Sequence, residues 1–472
     1  MGNKSKMQEW KQKHKLRYKY LQQIKYRKNI YLQNIYLQSK EWIESNEFKE
    51  KYLDTNHSYP PLVNPNNINY ELITTDLVQY LNLIPHIRSY FTQENEFFVY
   101  YIQNERIKNP LDIDNLIKNN SQDIFISWKI SDFAIARFFT LKPLVNNRKL
   151  VGLENIENCG FEHIKFLLGC GIASVVNNIQ IYLEHKNKPI LFYEDSYLSC
   201  ITLMGSHKKL ECDIKFEYPR SFFLDDLGQH FNVFQQSRLE VMLNDKNLIV
   251  TDKQKQEARK FIDFIVKNKL SKYNNQPIYK PIIGKPESKK VLVIEQCRAD
   301  YSIYMSGAND EIFDEMLQSA ISENPNADII IKRHPEAVLG FNGGYYDIPK
   351  AKKNIYPINI TINPYSLLEI VDKVYVCSST FGLEAAMAGK EVHLFSSPSY
   401  AGWGFTKDRK SVDRRKHKRS IEEFVYITYF KYARYVNEQG FCSIWEVADT
   451  LLKLRNEYFE LYGVRNDDLQ TI

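Results

Sequence analysis

The sequence predicts an α/β protein of two Rossmann-like lobes with a cleft between them, preceded by a basic helical extension. Three observations predict it. At 472 residues the chain exceeds one ordinary core. Apolar strand-like runs alternate with helical patterns in two separate series. A stretch with three prolines, Gln276 to Lys290, divides the two series. A hydrophobic share of 43% and a charged share of 25% belong to a folded chain rather than a disordered or fibrous one.

The extension is read over residues 1–55. From Met1 to Lys40 the only acid is Glu9, against eleven Lys and Arg residues, with Tyr and Leu interleaved as in LRYKYLQQIKYRKNIYLQ. That pattern reads as a basic amphipathic helix, a form suited to an anionic membrane surface. A solvated helical arm or an oligomer contact fits it as well. Nothing later in the chain supports nucleic acid as a partner.

NHSYPPLVNPNN (Asn56 to Asn67) marks a linker, and the first lobe is read over 68–275. Its clearest strands are FFVYYI (Phe97 to Ile102), DIFISW (Asp123 to Trp128) and PILFYED (Pro189 to Asp195), which suggest a mainly parallel sheet. The second lobe is read over 288–472. There VLVIEQ, ADIIIKRHP, VDKVYVCSS and EVHLFSS are strands, with EIFDEMLQSAISE and TFGLEAAMAGK as helices between them.

No apolar run approaches the roughly 20 residues of a membrane span, and no apolar segment follows the N-terminal charges. Seven scattered cysteines without a CxxC pair suit reduced cytosolic thiols better than disulfides or zinc. The expected location is therefore the cytoplasm, with peripheral contact at the inner membrane face through the extension. The chain lacks a Gly-rich P-loop, HExxH and GxSxG, which removes most support for kinases, zincins and α/β-hydrolases.

In open parallel sheets, functional groups gather beyond the carboxyl ends of the strands. Gln296, Arg298, Asp300 and Ser302 follow the second lobe's first strand, and Lys332, Arg333 and His334 follow its second. Ser378, Ser379 and Thr380 follow its third, with Glu384 a turn further on. Hydroxyls and unpaired amides at a helix start can hold a phosphate, and a carboxylate one turn on can accept from ribose hydroxyls. A helix cap followed by a solvated Glu fits the same spacing. A histidine beside a phosphate can hydrogen-bond a departing group, or it can be a solvated strand end. LDIDN (Leu111 to Asn115) and LDDLG (Leu224 to Gly228) pair acids as metal sites and turns both do, and no metal is required by the pattern.

QCRADYS, the run GANDEIFDEMLQSAISENPNADIIIKRHPE, VYVCSSTFGLEAAMAGKEVHLFSSPSYAGWGFT, DRRKHKRSIEEF and YARYVNEQGFCSIWEVADTLL together resemble the C-terminal half of bacterial capsule β-Kdo transferases of the KpsC type. SYAGWGFT (Ser399 to Thr406) is the most specific piece; KPILFYEDSYLSCITL and DDLGQHFNVFQQSRLE are similar to first-lobe motifs more loosely. The resemblance implies a GT-B fold and retaining transfer of Kdo, an acidic eight-carbon sugar, from CMP-Kdo. It implies Asp300 as the nucleophile that takes Kdo, and His334 at the CMP phosphate. Ser378, Ser379 and Thr380 would sit beside that phosphate, with Glu384 on the ribose.

Arg298, Lys332 and Arg333 are candidates for the anionic groups, and Gln296, Ser302, Glu194 and Asp195 for further substrate contacts. Where the family has Gly after the Glu-Asp pair, this chain has Ser196. The implied acceptor is an anionic or lipid-linked glycan, with other capsule assembly proteins as possible partners and no cofactor beyond the donor. Transfer of another CMP-sugar such as CMP-sialic acid, or a non-catalytic assembly or export role on the same fold, remain the alternatives. DRRKHKRS (Asp413 to Ser420) reads as a solvated helix start or as a face for an anionic acceptor.

Overall fold

The computed structural model describes residues 110–113, 123–126, 150–151, 164–170, 188–203, 212–234, 236–298, 300–338, 343–346 and 353–463. The basic extension, the linker after it and FFVYYI lie outside the described residues. Both sheets belong to the unit Ile102–Ile472.

In the first sheet, β1 (Asp123–Ile126), β2 (Leu150–Val151), β3 (Ile164–Cys170) and β4 (Ile190–Asp195) are parallel neighbours. The next strand, β5 (Ser221–Asp225), runs antiparallel to β4, so the sheet is mixed rather than wholly parallel. Two helices follow, α1 (Arg238–Asn244) and α2 (Asp252–Asn268). Ser237 caps α1, and Thr251 with Gln254 closes a capping box on α2. The α2 stripe Ala258, Phe261, Ile262 and Ile265 is buried at helical spacing.

The second sheet is wholly parallel: β6 (Lys290–Ile294), β7 (Asp328–Lys332), β8 (Ile355–Ile358), β9 (Lys373–Val376), β10 (Glu391–Leu394) and β11 (Lys407–Asp408). Its helices are α3 (Tyr301–Met305), α4 (Ile312–Glu323), α5 (Pro335–Val338), α6 (Pro364–Leu368), α7 (Phe381–Met387) and α8 (Ile421–Val425). β6 and β7 are buried along their whole length, as central parallel strands covered on both faces must be. Read across the sheet the order is β8-β7-β6-β9-β10-β11. The chain winds outward on one side of β6, returns and winds outward on the other. The strand order therefore reverses between β6 and β9, where doubly wound sheets open a crevice.

After α8 a π-helix (Tyr426–Tyr432) leads out of this lobe, and β12 (Ala433–Asn437) pairs antiparallel with β5. β13 (Gly440–Phe441) then forms the edge of the first sheet. The stretch read as second lobe, 288–472, thus contains strands that complete the first. Its last helix, α9 (Ile444–Tyr462), returns to α2, where Arg455 donates to the carbonyls of Asn268 and Lys269. One hydrophobic cluster runs from Phe261 and Ile265 of α2 through Tyr429 and Tyr432 to Leu367 and Val374.

DRRKHKRS is a helix start with Asp413, Lys416 and Lys418 exposed, but its arginines depart from the solvated reading. Arg414 and Arg415 both bind Glu240 of α1, whose side chain is 4% exposed, and Arg415 Nη1 also donates to the carbonyls of Pro398 and Ala401. Arg419 satisfies the carbonyls of Leu243, Asp245 and Leu248 at the end of α1. Only Ser420 does what a helix start does, capping α8. The arginines clamp one lobe to the other, because the carbonyls ending α1 have no intrahelical donors. Arg415→Ala is expected to lower unfolding free energy by ~3–5 kcal/mol, the usual effect of stranding one member of a buried pair, measured from urea midpoints.

Candidate active site

The crevice at the reversal point is built by strand ends. β6 runs on into Glu295, Gln296 and Cys297, and β9 into Cys377 and Ser378. Gln296 Nε2 donates to Ser378 Oγ at 3.0 Å and lies 3.3 Å from Ser302 Oγ, while its Oε1 accepts from Ser378 N at 2.9 Å. One buried amide thus fixes the spacing of the two strand ends. Both sides of that amide are used, which orients it uniquely.

Asp300 is half-buried and caps α3, its Oδ1 accepting from Ser302 N at 2.9 Å. The cap holds the carboxylate at the mouth of the crevice, one loop beyond Gln296. His334 ends the loop after β7, and its Nδ1 lies 3.0 Å from Cys297 Sγ. With the thiol as donor the neutral ring carries its proton on Nε2, and with Nδ1–H as donor the sulfur accepts. Burial, reinforced by Lys332 and Lys272, holds the imidazole pKa down at about 3.

The cations predicted for the site divide. Lys332 is buried, with burial pushing its ammonium down to about 8 and its Nζ 3.4 Å from Arg333 O. Arg333 donates to Glu295 at 3.1 Å, a carboxylate with no exposed side-chain surface that also accepts from Tyr346 N. A Cβ at Gly344 would strike that carboxylate, which explains the glycine. Arg298 lies over the Tyr345 ring at 4.7 Å, donates to Gly344 O and stands 3.8 Å from Asp310. Arg298 and Arg333 are therefore held by the 343–346 loop and Glu295 rather than by the crevice.

Ser379 Oγ accepts from Phe381 N, and Thr380 precedes α7 without a side-chain cap. Gly382 lies against the Tyr400 hydroxyl, which donates to Ser379 O; any side chain there would collide with it. SYAGWGFT is thus a buried bracket: Tyr400, Ala401 and Trp403 are at most 1% exposed, and Ser399 Oγ meets the first lobe's Tyr197 hydroxyl at 2.5 Å. Glu384 is buried as well. Its Oε1 accepts from Ser271 Oγ at 2.5 Å, and Lys272 N also bonds it. Burial raises its carboxyl to about 7.

Glu194 and Asp195 end β4, half-buried; Asp195 Oδ1 accepts from the Tyr193 hydroxyl at 3.1 Å and Glu194 Oε1 from Asp195 N at 3.2 Å. Four residues here were not singled out from sequence: Cys297, Ser271, Lys272 and His230. Cys297 sits within the motif QCRADYS and His230 within DDLGQHFNVFQQSRLE, but Ser271 and Lys272 carry no local signal, being a Ser and a Lys in a loop. Leu111 N donates to Asp226 Oδ2, and Arg238 bonds both oxygens of Asp226, so LDIDN and LDDLG meet as a loop tie. Among the described residues no helix is long and apolar enough to cross a membrane.

Residues 180–438, more than half the chain, match the family of capsule polysaccharide biosynthesis proteins. The chain belongs to that family. The family's capsule polysaccharide modification protein LipA of Neisseria meningitidis serogroup A is 31% identical over 310 residues, which cover 63% of this chain and 42% of LipA. The lipopolysaccharide-processing protein LpsZ of Rhizobium meliloti is 31% identical over 258 residues, covering 54% of this chain and 56% of LpsZ. The chain spans about half the length of these relatives. Among solved structures, KpsC of Thermosulfurimonas dismutans, a β-Kdo 2,4 transferase, aligns at TM-score 0.61 and 28% identity over 71% of this chain and 99% of that one.

Two expectations follow from the crevice. The His334 ring should show no titration between pH 5 and 8 by nitrogen-15 NMR; its contribution to stability is complete above pH 6.5 and is lost as pH falls toward 3. Glu384 has the opposite sign. Its raised pKa gives stability that is full below pH 4.5 and lost as pH rises through 7, a change of about 3 kcal/mol at 1.36 kcal/mol per pKa unit. Glu384→Gln should flatten that fall in urea midpoints taken from pH 4.5 to 8.

Proposed function

We propose that the chain is a retaining glycosyltransferase of GT-B architecture that moves Kdo from CMP-Kdo to a capsule or related surface glycan. The observation that carries the reading is the likeness, over nearly the whole of that structure, to a β-Kdo 2,4 transferase. The position of Asp300 and His334 at adjacent strand ends of the reversal crevice supports it.

In this scheme an Asp300 oxygen attacks C2 of Kdo, and the bond from C2 to the phosphate oxygen breaks with its electron pair leaving on CMP. Kdo is then held as an ester on Asp300. The acceptor hydroxyl attacks C2 from the vacated face, its proton passes to a base, and the Asp300 carboxylate is released. Two inversions give net retention, and the nucleophile must stand opposite the leaving group. Asp300 suits that role because its cap bond to Ser302 N fixes one oxygen and leaves the carboxylate oriented.

His334, neutral with Nε2 protonated, donates to the departing phosphate, which needs a hydrogen bond and not a proton. The hydroxyls of Ser378, Ser379 and Thr380 adjoin that phosphate. Glu384 approaches the ribose only if its bonds to Ser271 and Lys272 N rearrange; in the free chain it ties the lobes. Glu194 and Asp195 face the crevice from the first sheet, where the acceptor glycan is expected, and one of them is the base that takes the hydroxyl proton. No step in this scheme uses a cofactor beyond the donor. Contact with an anionic inner-membrane surface, where a lipid-linked acceptor lies, falls to the basic extension.

Intact-protein mass after incubation with a CMP-Kdo regenerating mixture tests the scheme. The native chain should gain one Kdo and Asp300→Ala none. His334→Ala should keep the adduct but form it ~10²–10³-fold more slowly, the range for loss of one preorganised hydrogen-bond donor. Release of CMP to a supplied acceptor with no adduct on the native chain would remove Asp300 from the nucleophile's role.

A further inference from the structure

A histidine can serve a leaving phosphate in two ways, and the group on its far nitrogen decides between them. A carboxylate on Nδ1 supports a positive ring and favours passing a proton; a neutral partner leaves the ring neutral, a hydrogen-bond donor that keeps its proton. At His334 the group beside Nδ1 is a thiol. Cys297 Sγ lies 3.0 Å away, on a residue only 5% exposed. Glu295, the acid two positions before it, is engaged elsewhere, by Arg333 at 3.1 Å and Tyr346 N at 2.6 Å.

Cys297 is held from both sides. Gln296 before it is tied to Ser378 across the crevice, and Arg298 after it donates its N–H to Gly343 O at 2.8 Å and its Nε to Gly344 O at 2.9 Å. The Cys297 carbonyl accepts from Asp300 N at 3.3 Å. The two residues that carry the proposed reaction therefore meet at a third: its carbonyl takes the amide of Asp300, and its sulfur touches the ring of His334.

The His334 backbone is fixed as well. Its carbonyl accepts from Ala337 N at 2.9 Å and Val338 N at 3.0 Å where α5 begins, and Glu295 N donates to Lys332 O at 2.9 Å, holding the ends of β6 and β7 side by side. What remains to be set is the rotation of the ring and the choice of protonated nitrogen. An imidazole nitrogen is a good acceptor and a thiol sulfur a weak one, so the pair is stronger with S–H donating. The reverse arrangement would turn a bare Nε2 lone pair toward an anionic phosphate.

We infer that Cys297 is a positioning residue whose thiol donates to Nδ1 of His334 and so presents Nε2–H to the departing phosphate. The inference rests on the Kdo-transferase reading and deepens it. Neither the thiol proton nor the Nε2 proton is transferred: the bond from C2 to the phosphate oxygen breaks, its electron pair stays on CMP, and Nε2–H stabilises the charge that develops there.

Nitrogen-15 NMR of the full chain with labelled histidine reads the tautomer, the His334 signals being those missing from His334→Ala. The native ring is expected as the Nε2–H form. Cys297→Ala should give a mixture of tautomers, and Cys297→Ser, which keeps a donor at the same place, should restore the native form. In single-turnover formation of the Kdo adduct, Cys297→Ala should be ~3–10-fold slower, the worth of one neutral hydrogen bond, and Cys297→Ser should recover most of that loss. The half-saturating CMP-Kdo concentration should change less than about twofold, because the contact acts on the leaving group's developing charge. On a His334→Ala background the effect of Cys297→Ala should shrink to within about twofold, since its target is gone. If Cys297→Ala loses its thermal transition, Cys297→Val takes its place with the same expectations. An Nδ1–H ring in the native chain overturns the inference, as does a tautomer unchanged by Cys297→Ala, or a rate loss of equal size with and without His334. The expected tautomers with no adduct on the native chain overturn the transferase reading and leave the thiol's hold on the ring standing.

Discussion

The bond that everything else here depends on is the one Gln296 makes across the point where strand order reverses. Two parallel strands that diverge in topology have no turn to hold their ends together, and the crevice between them exists for that reason. Gln296 spans it, binding both the amide and the hydroxyl of Ser378 and reaching Ser302 on the loop that carries Asp300. A hydrocarbon there would leave a buried amide unpaired and the loop unanchored. The position of Asp300 is thus inherited from the sheet through one side chain, with its own cap on α3 adding the last constraint.

Around that crevice burial acts on different groups with different results. Burial lowers the pKa of His334 and raises that of Glu384, and that of Lys272 is raised because acids oppose the loss of water around it. The junction is therefore polar at its centre and apolar around it, where Phe261, Tyr429 and Leu367 belong to one cluster. A dry rim strengthens each polar contact inside it. The two lobes meet through contacts of both kinds: the Tyr197 to Ser399 bond, the Glu240 arginine clamp and the Ser271 to Glu384 bond.

Much of this was legible in the chain. VLVIEQ, ADIIIK and VYV read as buried parallel strands because continuous apolar runs have few other uses, and the strand-end polar residues followed from topology. The family was legible in SYAGWGFT, although that string proves to be a scaffold whose Tyr400 and Ser399 brace the site. What was not legible is whatever depends on distant pairing. The arginines of DRRKHKRS look solvated until Glu240, far back in sequence, is brought beside them. β5 and β12 have no signal that pairs them, and β5's reversal against β4 breaks the parallel pattern suggested by its neighbours. Lys272 was hidden in a lysine-rich chain near the end of what read as the first lobe.

The return of β12 to β5 has a consequence for how the molecule is made. The strand that covers β5 is synthesised about 200 residues after it. At ~5–20 residues per second, that is roughly 10–40 s during which the first sheet has an open, apolar edge. SFFLD is a poor sequence to leave uncovered, since an unpaired hydrophobic edge invites pairing with another chain. The nascent polypeptide therefore passes through a long interval in which the first sheet exists without its boundary.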